Sequence, residues 1–214
     1  MEYTPIKDHV LVIVDKEDKY THQIEGTDIK LFIDKDFGWN EREKNAVNAV
    51  VHHPGSCALK KGTKIVCWHN SFSEHTLVDT IQTEEDSVYG GKKKMYLHAI
   101  HPSKIFLWFS DGSPVPMPGF YIVDRIYYKP QSSSIIITEI SETKENNRVV
   151  VRIAPENDPL GLKDGQVLIV ETMSDYEVVY ADFGRECRLI RIKENDIIAI
   201  DDSFEITEQM RTGV

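Results

Sequence analysis

Long apolar runs are missing from this sequence. No stretch approaches the roughly 20 residues that cross a bilayer as a helix, so no membrane-spanning helix is expected. The opening MEYTPIKDHV lacks the basic-then-apolar form of a secretory signal. Cysteine is scarce: Cys57, Cys67 and Cys187 are too few and too scattered for a disulfide framework. A reducing, cytoplasmic setting is expected. Basic charge is also in deficit, with 25 Lys and Arg against 35 Asp and Glu and a net charge of −10. A phosphate backbone needs clustered cations, so no nucleic-acid partner is expected. The one basic run, Lys92-Lys93-Lys94, follows Gly90-Gly91 and reads as a solvated turn.

The motifs of catalysis are missing as well. There is no glycine-rich phosphate loop, no H-E-x-x-H and no nucleophile elbow. The acidic corners TEEDS (83–87) and DDSFE (201–205) read as solvated, and SFSEH (71–75) pairs Ser with His without an orienting third group. No catalytic residue, no cofactor and no enzymatic activity are therefore expected. Six of the eight histidines and two cysteines do gather between 52 and 101: His52, His53, Cys57, Cys67, His69, His75, His98 and His101. Cys67 and His69, two apart on a strand, would share a face and suit zinc. Their spacings match no tetrahedral signature, so these residues read as core cysteines and surface histidines, with no metal site.

What the chain does contain is short β-branched clusters. HVLVIV (9–14), AVNAVV (46–51), KIVCW (64–68), FYIVDRIYY (120–128), RVVVRI (148–153), QVLIV (166–170) and LIRI (189–192) are punctuated by Gly, Pro, Asn and Asp. Their lengths and composition predict strands and an all-β fold. The best helical candidate, NEREKNAVNAV (40–50), runs into a β-branched segment. SDGSPVPMPG (110–119) carries prolines at 114, 116 and 118 and reads as a semi-rigid connector. The expected division is a first domain over 1–109, a linker over 110–119, a second domain over 120–202 and a polar C-terminal tail over 203–214.

The two halves resemble each other. LKKGTKIVCW (59–68) parallels LKDGQVLIVE (162–171), and MYLHAIHPSKIFLW (95–108) parallels CRLIRIKENDIIAI (187–200). A repeat of this size implies two copies of one domain. From Val10 to Leu59 is 49 positions against 41 from Tyr121 to Leu162, so the first half carries about eight extra residues there. A further insertion, 73–91, is expected to be peculiar to the first half.

Four ordered features, each found twice, resemble the GroES-type co-chaperonins. PIKDHVLVIV (5–14) is similar to the family's opening strand, with His9 where Arg is usual; LKDGQVLIV is similar to its glycine turn; IKENDIIAI (192–200) is similar to its closing strand. The fourth is a polar loop carrying an apolar triplet, SSSIIIT at 133–138. The resemblance covers roughly 5–108 and 116–201. It implies two tandem irregular β-barrels, assembly into a homo-oligomeric ring, and docking of each triplet on a GroEL-type chaperonin ring, the partner that turns over ATP. The chaperonin-binding residues implied are Ile135, Ile136 and Ile137 in the second half and Leu31, Phe32 and Ile33 in the first. IKLFI (29–33) also alternates well enough to be a half-buried strand, and Ile135–Ile137 could equally be one. The family's roof hairpin has no room in HHPGSCALKKG (52–62) or APENDPLGLKDG (154–165). Tandem domains without a roof resemble the double-domain lids of chloroplasts or reduced phage-encoded versions; with no transit peptide visible, a bacterial or viral source is expected.

The energetics suit a reversible lid. Burying three isoleucines yields about 1.5–3 kcal/mol each, and ordering five loop residues costs about 1–2 kcal/mol each. One loop alone binds weakly, and several on a ring bind by avidity. The competing expectation is a structural or assembly interaction protein, for instance a viral one, that keeps the barrel and never meets a chaperonin.

Overall fold

The computed structural model describes residues 3–15, 21–23, 30–32, 46–86, 91–128, 143–182 and 185–213. Among them there is no α-helix; the helical elements are single 3-10 turns, such as Pro102–Lys104 and Glu194–Asp196. The all-β expectation holds. The chain divides into two units: Met1–Pro114 with Val179–Cys187, and Val115–Val178 with Arg188–Val214.

The first sheet contains β1 (Val10–Asp15), β4 (Ala46–His53), β5 (Lys64–Trp68), β6 (Leu77–Asp86), β7 (Lys92–Ile100), β8 (Ile105–Ser110) and β9 (Ser113–Pro116), in the order β6-β7-β1-β4-β5-β8-β9. A separate pair, β2 (Thr21–Gln23) and β3 (Lys30–Phe32), lies between β1 and β4 in sequence. The second sheet contains β10 (Phe120–Tyr128), β11 (Thr143–Ile153), β12 (Val167–Val170), β13 (Tyr176–Asp182), β14 (Arg185–Lys193) and β15 (Ile197–Ile200). Its order is β13-β14-β10-β11-β12-β15, with β16 (Met210–Gly213) also on β10. Six strands of each sheet therefore follow one order. Neither order closes on itself among the described residues, so open antiparallel sheets are the architecture observed.

The duplication extends to single residues. Val10 faces Ile100 across β1 and β7, and Tyr121 faces Ile192 across β10 and β14. The register shifts between Leu11 and Val12 on β1, and at the equivalent Ile122 and Val123 on β10. It shifts again at Val66/Cys67 on β5 and at the equivalent Ile169/Val170 on β12. The turns before β5 and β12 match too. Gly62 N–H donates to the Val51 carbonyl (2.7 Å), and Gly165 N–H donates to the Val151 carbonyl (2.8 Å). Both glycines sit at φ near +85°, where a side chain is disfavoured.

One hydrophobic pattern fills both units. The second core comprises Tyr121, Val123, Val149, Val151, Leu162, Leu168, Val170, Ile190 and Ile192. The equivalent first-unit positions are Val10, Val12, Ala49, Val51, Leu59, Ile65, Cys67, His98 and Ile100, and each is buried. His98 thus stands where the second unit has Ile190, which corrects the expectation of a surface histidine. Its Nδ1 lies 3.0 Å from the Thr76 hydroxyl, and Phe72 packs edge-on at 5.3 Å.

Three segments differ from the sequence expectations. Residues 77–86 form β6, the counterpart of β13, so most of the supposed insertion is a longer hairpin common to both repeats. Ser113–Pro116, expected as a connector, is β9 on the outer edge of β8. Proline is tolerated there because an edge strand leaves one row of N–H groups unused. Met210–Gly213, expected in a polar tail, pairs with Arg125–Tyr128 as β16. Segments 54–63 and 154–166 contain no strand.

Candidate functional site

The apolar triplets come first. Ile135, Ile136, Ile137 and Ile33 lie outside the described residues. Leu31 and Phe32 lie in β3, opposite His22 and Thr21 of β2. The connections that hold the triplets run from β1 to β4 and from β10 to β11, two equivalent places in the repeat.

The His and Cys residues do not converge. Among the described residues no group of three or more His, Cys, Asp or Glu is placed to hold a metal ion. Cys67 is completely buried, which pushes its thiol well above the ordinary range. β5 ends at Trp68, so His69 begins a 3-10 turn instead of sharing a strand face with Cys67.

Two carboxylates organise the second unit. Asp158 accepts from the Tyr121 hydroxyl and from the backbone N–H groups of Leu160 (2.9 Å) and Leu162 (2.6 Å). Burial raises its pKa, and these donors together more than reverse that, so the carboxyl titrates below its usual range. It fixes the 154–165 connection against the core. Asp175 is the more deeply buried, with a side chain 3% exposed. Arg125 Nε of β10 reaches it at 2.6 Å, and Lys144 Nζ of β11 also donates to it. Here again burial pushes the carboxyl up and the two cations outweigh it, leaving a lowered pKa. This cluster ties the β12–β13 connection to two strands of the sheet. All its charges are matched by partners, which is the pattern of a structural tie.

The unmatched surface is apolar. β15 pairs with β12 on one side, and its other edge carries no strand among the described residues. Its equivalent, β8, has that edge covered by β9. On β15, Ile198 is 64% exposed and Ile200 43%, whereas the equivalent Phe106 and Trp108 of β8 are only partly exposed. A second contrast lies ahead of the first strand of each repeat. Ile6 is 76% exposed, and Met117, its equivalent four positions before Tyr121, is 8% exposed. The sequence reading passed over these residues. Their signal was IIAI, four apolar residues in a row on a strand, which leaves some facing water whichever face is buried.

The chain matches no family model, no curated protein and no solved structure. Among the described residues no helix is long and apolar enough to cross a membrane.

Proposed function

We propose that this chain is a tandem GroES-like co-chaperonin. It caps a GroEL-type chaperonin ring through apolar triplets and assists ATP-dependent folding, with no active site of its own. The observation that carries this reading is the duplication: two units that share one order of six strands, each placing a long connection after its first strand. The triplets Ile135–Ile137 and Leu31–Ile33 lie in those two connections. Each unit is read as a GroES-like domain of irregular barrel type.

Assembly into a homo-oligomeric ring is part of the proposal. Its support is the β15 edge, uncovered among the described residues, together with exposed Ile6, two surfaces whose repeat equivalents are covered or buried. An exposed apolar edge is a template for another chain unless it is covered. The working site is cytoplasmic, and the acidic balance suits a polar chamber wall.

The test is co-sedimentation with a GroEL-type chaperonin and ADP, comparing wild type with Ile136→Ser. Wild type should pellet with the chaperonin. Losing one buried isoleucine costs about 1.5–3 kcal/mol per loop, multiplied across a ring, so the variant should bind at least about tenfold more weakly. If wild type assembles but stays in the supernatant, the chain is an assembly protein and the lid reading fails.

A further inference from the structure

The edge of β10 has two claimants. Phe120–Val123 pair with Lys193–Ile190 of β14, and Arg125–Tyr128 pair with Gly213–Met210 of β16. β11 occupies the opposite edge of the same strand from Ile122 to Tyr128, so β14 and β16 share one edge end to end. The first repeat uses that edge differently. There, among the described residues, β7 pairs with β1 over its full length, Val10–Asp15 against Ile100–Met95.

β14 has the residues to do the same. It continues as a strand back to Arg185, beyond its last partner on β10. Extending the observed register places Arg188, Cys187, Glu186 and Arg185 opposite Arg125, Ile126, Tyr127 and Tyr128. Those four positions are the ones β16 fills. The outer part of the β13–β14 hairpin, Val179–Cys187, instead groups with the first unit. β16 is held by more than its ladder. Met210 packs on the small cluster Ile126, Val150 and Val167, and the Arg211 guanidinium lies 4.7 Å over the Tyr127 ring.

We propose that β16 is an exchangeable strap: it and residues 185–188 compete for the Arg125–Tyr128 edge, and release of the C-terminal strand lets β14 zip onto β10 as β7 does onto β1. The two pairings are mutually exclusive because one backbone edge offers one set of donors and acceptors. Displacing the strap would thereby bring residues 185–188, at present beyond the part of β14 paired with β10, onto the β10 edge. This device stands independently of any chaperonin.

Disulfide trapping tests it. In a Cys57→Ser/Cys187→Ser background, the pair Tyr127→Cys/Arg211→Cys should cross-link rapidly, since these positions face each other now. The pair Tyr127→Cys/Glu186→Cys should cross-link slowly in the full chain. Deleting residues 207–214, or introducing Arg211→Pro to remove a ladder donor, should accelerate the second cross-link at least about tenfold. The Arg211→Pro arm keeps the chain intact should deletion impair folding. No 127–186 cross-link in any background, or a rate indifferent to both changes, would overturn the proposal.

Discussion

At the scale of single residues, the glycines separate backbone strain from steric exclusion. A Cβ added at Gly62 or Gly165 meets nothing within 4 Å, so replacement by Ala costs only the left-handed backbone, about 1–2 kcal/mol. The two turns share their hydrogen bonds and their φ, so Gly62→Ala and Gly165→Ala should cost the same to within about 0.5 kcal/mol. Gly55 is a different case. Its Cβ would lie 2.2 Å from the His9 carbonyl oxygen, and backbone cannot yield as a side-chain end can. Gly55→Ala should therefore cost about 3 kcal/mol or more. Urea midpoints of the three variants check the ranking, and a Gly55→Ala midpoint equal to the others would show that residues 5–9 move freely. Of these glycines, the turn pair was legible beforehand, because a charged corner ending in Gly before a β-branched run is a local signal. The close approach of Gly55 to His9 was not, since the two are joined only by the fold.

At the scale of elements, Asp175 is the tie whose loss should be felt most. It anchors the β12–β13 connection to β10 and β11 through Arg125 and Lys144. Both cations retain some exposure, so their heads stay partly hydrated when the carboxylate is removed. Asp175→Asn should then destabilise the second unit by about 2–4 kcal/mol, toward the lower part of the range for a broken buried pair. The pH dependence follows from the lowered pKa. A carboxyl whose folded pKa lies below its unfolded value of about 3.9 stabilises fully above that value. That contribution disappears as pH falls through the folded pKa. Denaturation midpoints of wild type and Asp175→Asn should stay separated from pH 7 to about pH 5 and converge below about pH 4. A gap that does not narrow between about pH 4 and pH 2.5 would contradict the ion-pair account. Strands with a β-branched centre, such as β1, β4, β5 and β12, were readable from composition. β9 was masked by its prolines, although Asp111-Gly112 between β8 and β9 is a strong two-residue hairpin signal, and both residues adopt positive φ. β6 and β16 were missed because LVDTIQTEED and MRTG are polar enough to pass for loop and tail. Their strand character comes from a neighbour's open edge, which no local pattern encodes.

At the scale of the whole molecule, the question is what one chain leaves uncovered. The repeat supplies its own standard of comparison: β8 is covered and β15 carries no strand on that edge among the described residues, Met117 is buried and Ile6 is exposed. In the ring proposed above, a second chain would supply what the other copy of the unit has. Two different surfaces would meet there, so the joint would be head-to-tail, and such joints close into rings or run on as filaments. Asp196, Asp201 and Asp202 flank β15 and limit unspecific pairing, but the strand between them, IIAI, carries no charge. Placing Lys at Ile198 should block association while sparing the fold, because that side chain is 64% exposed in the single chain. Sedimentation velocity should show wild type as an oligomer and Ile198→Lys shifted to single chains, with association weakened at least about tenfold. Circular dichroism and the urea midpoint of the variant should match wild type. Wild type that stays monomeric at high concentration would mean that β15 is covered by the chain's own residues, and the ring would lose its joint.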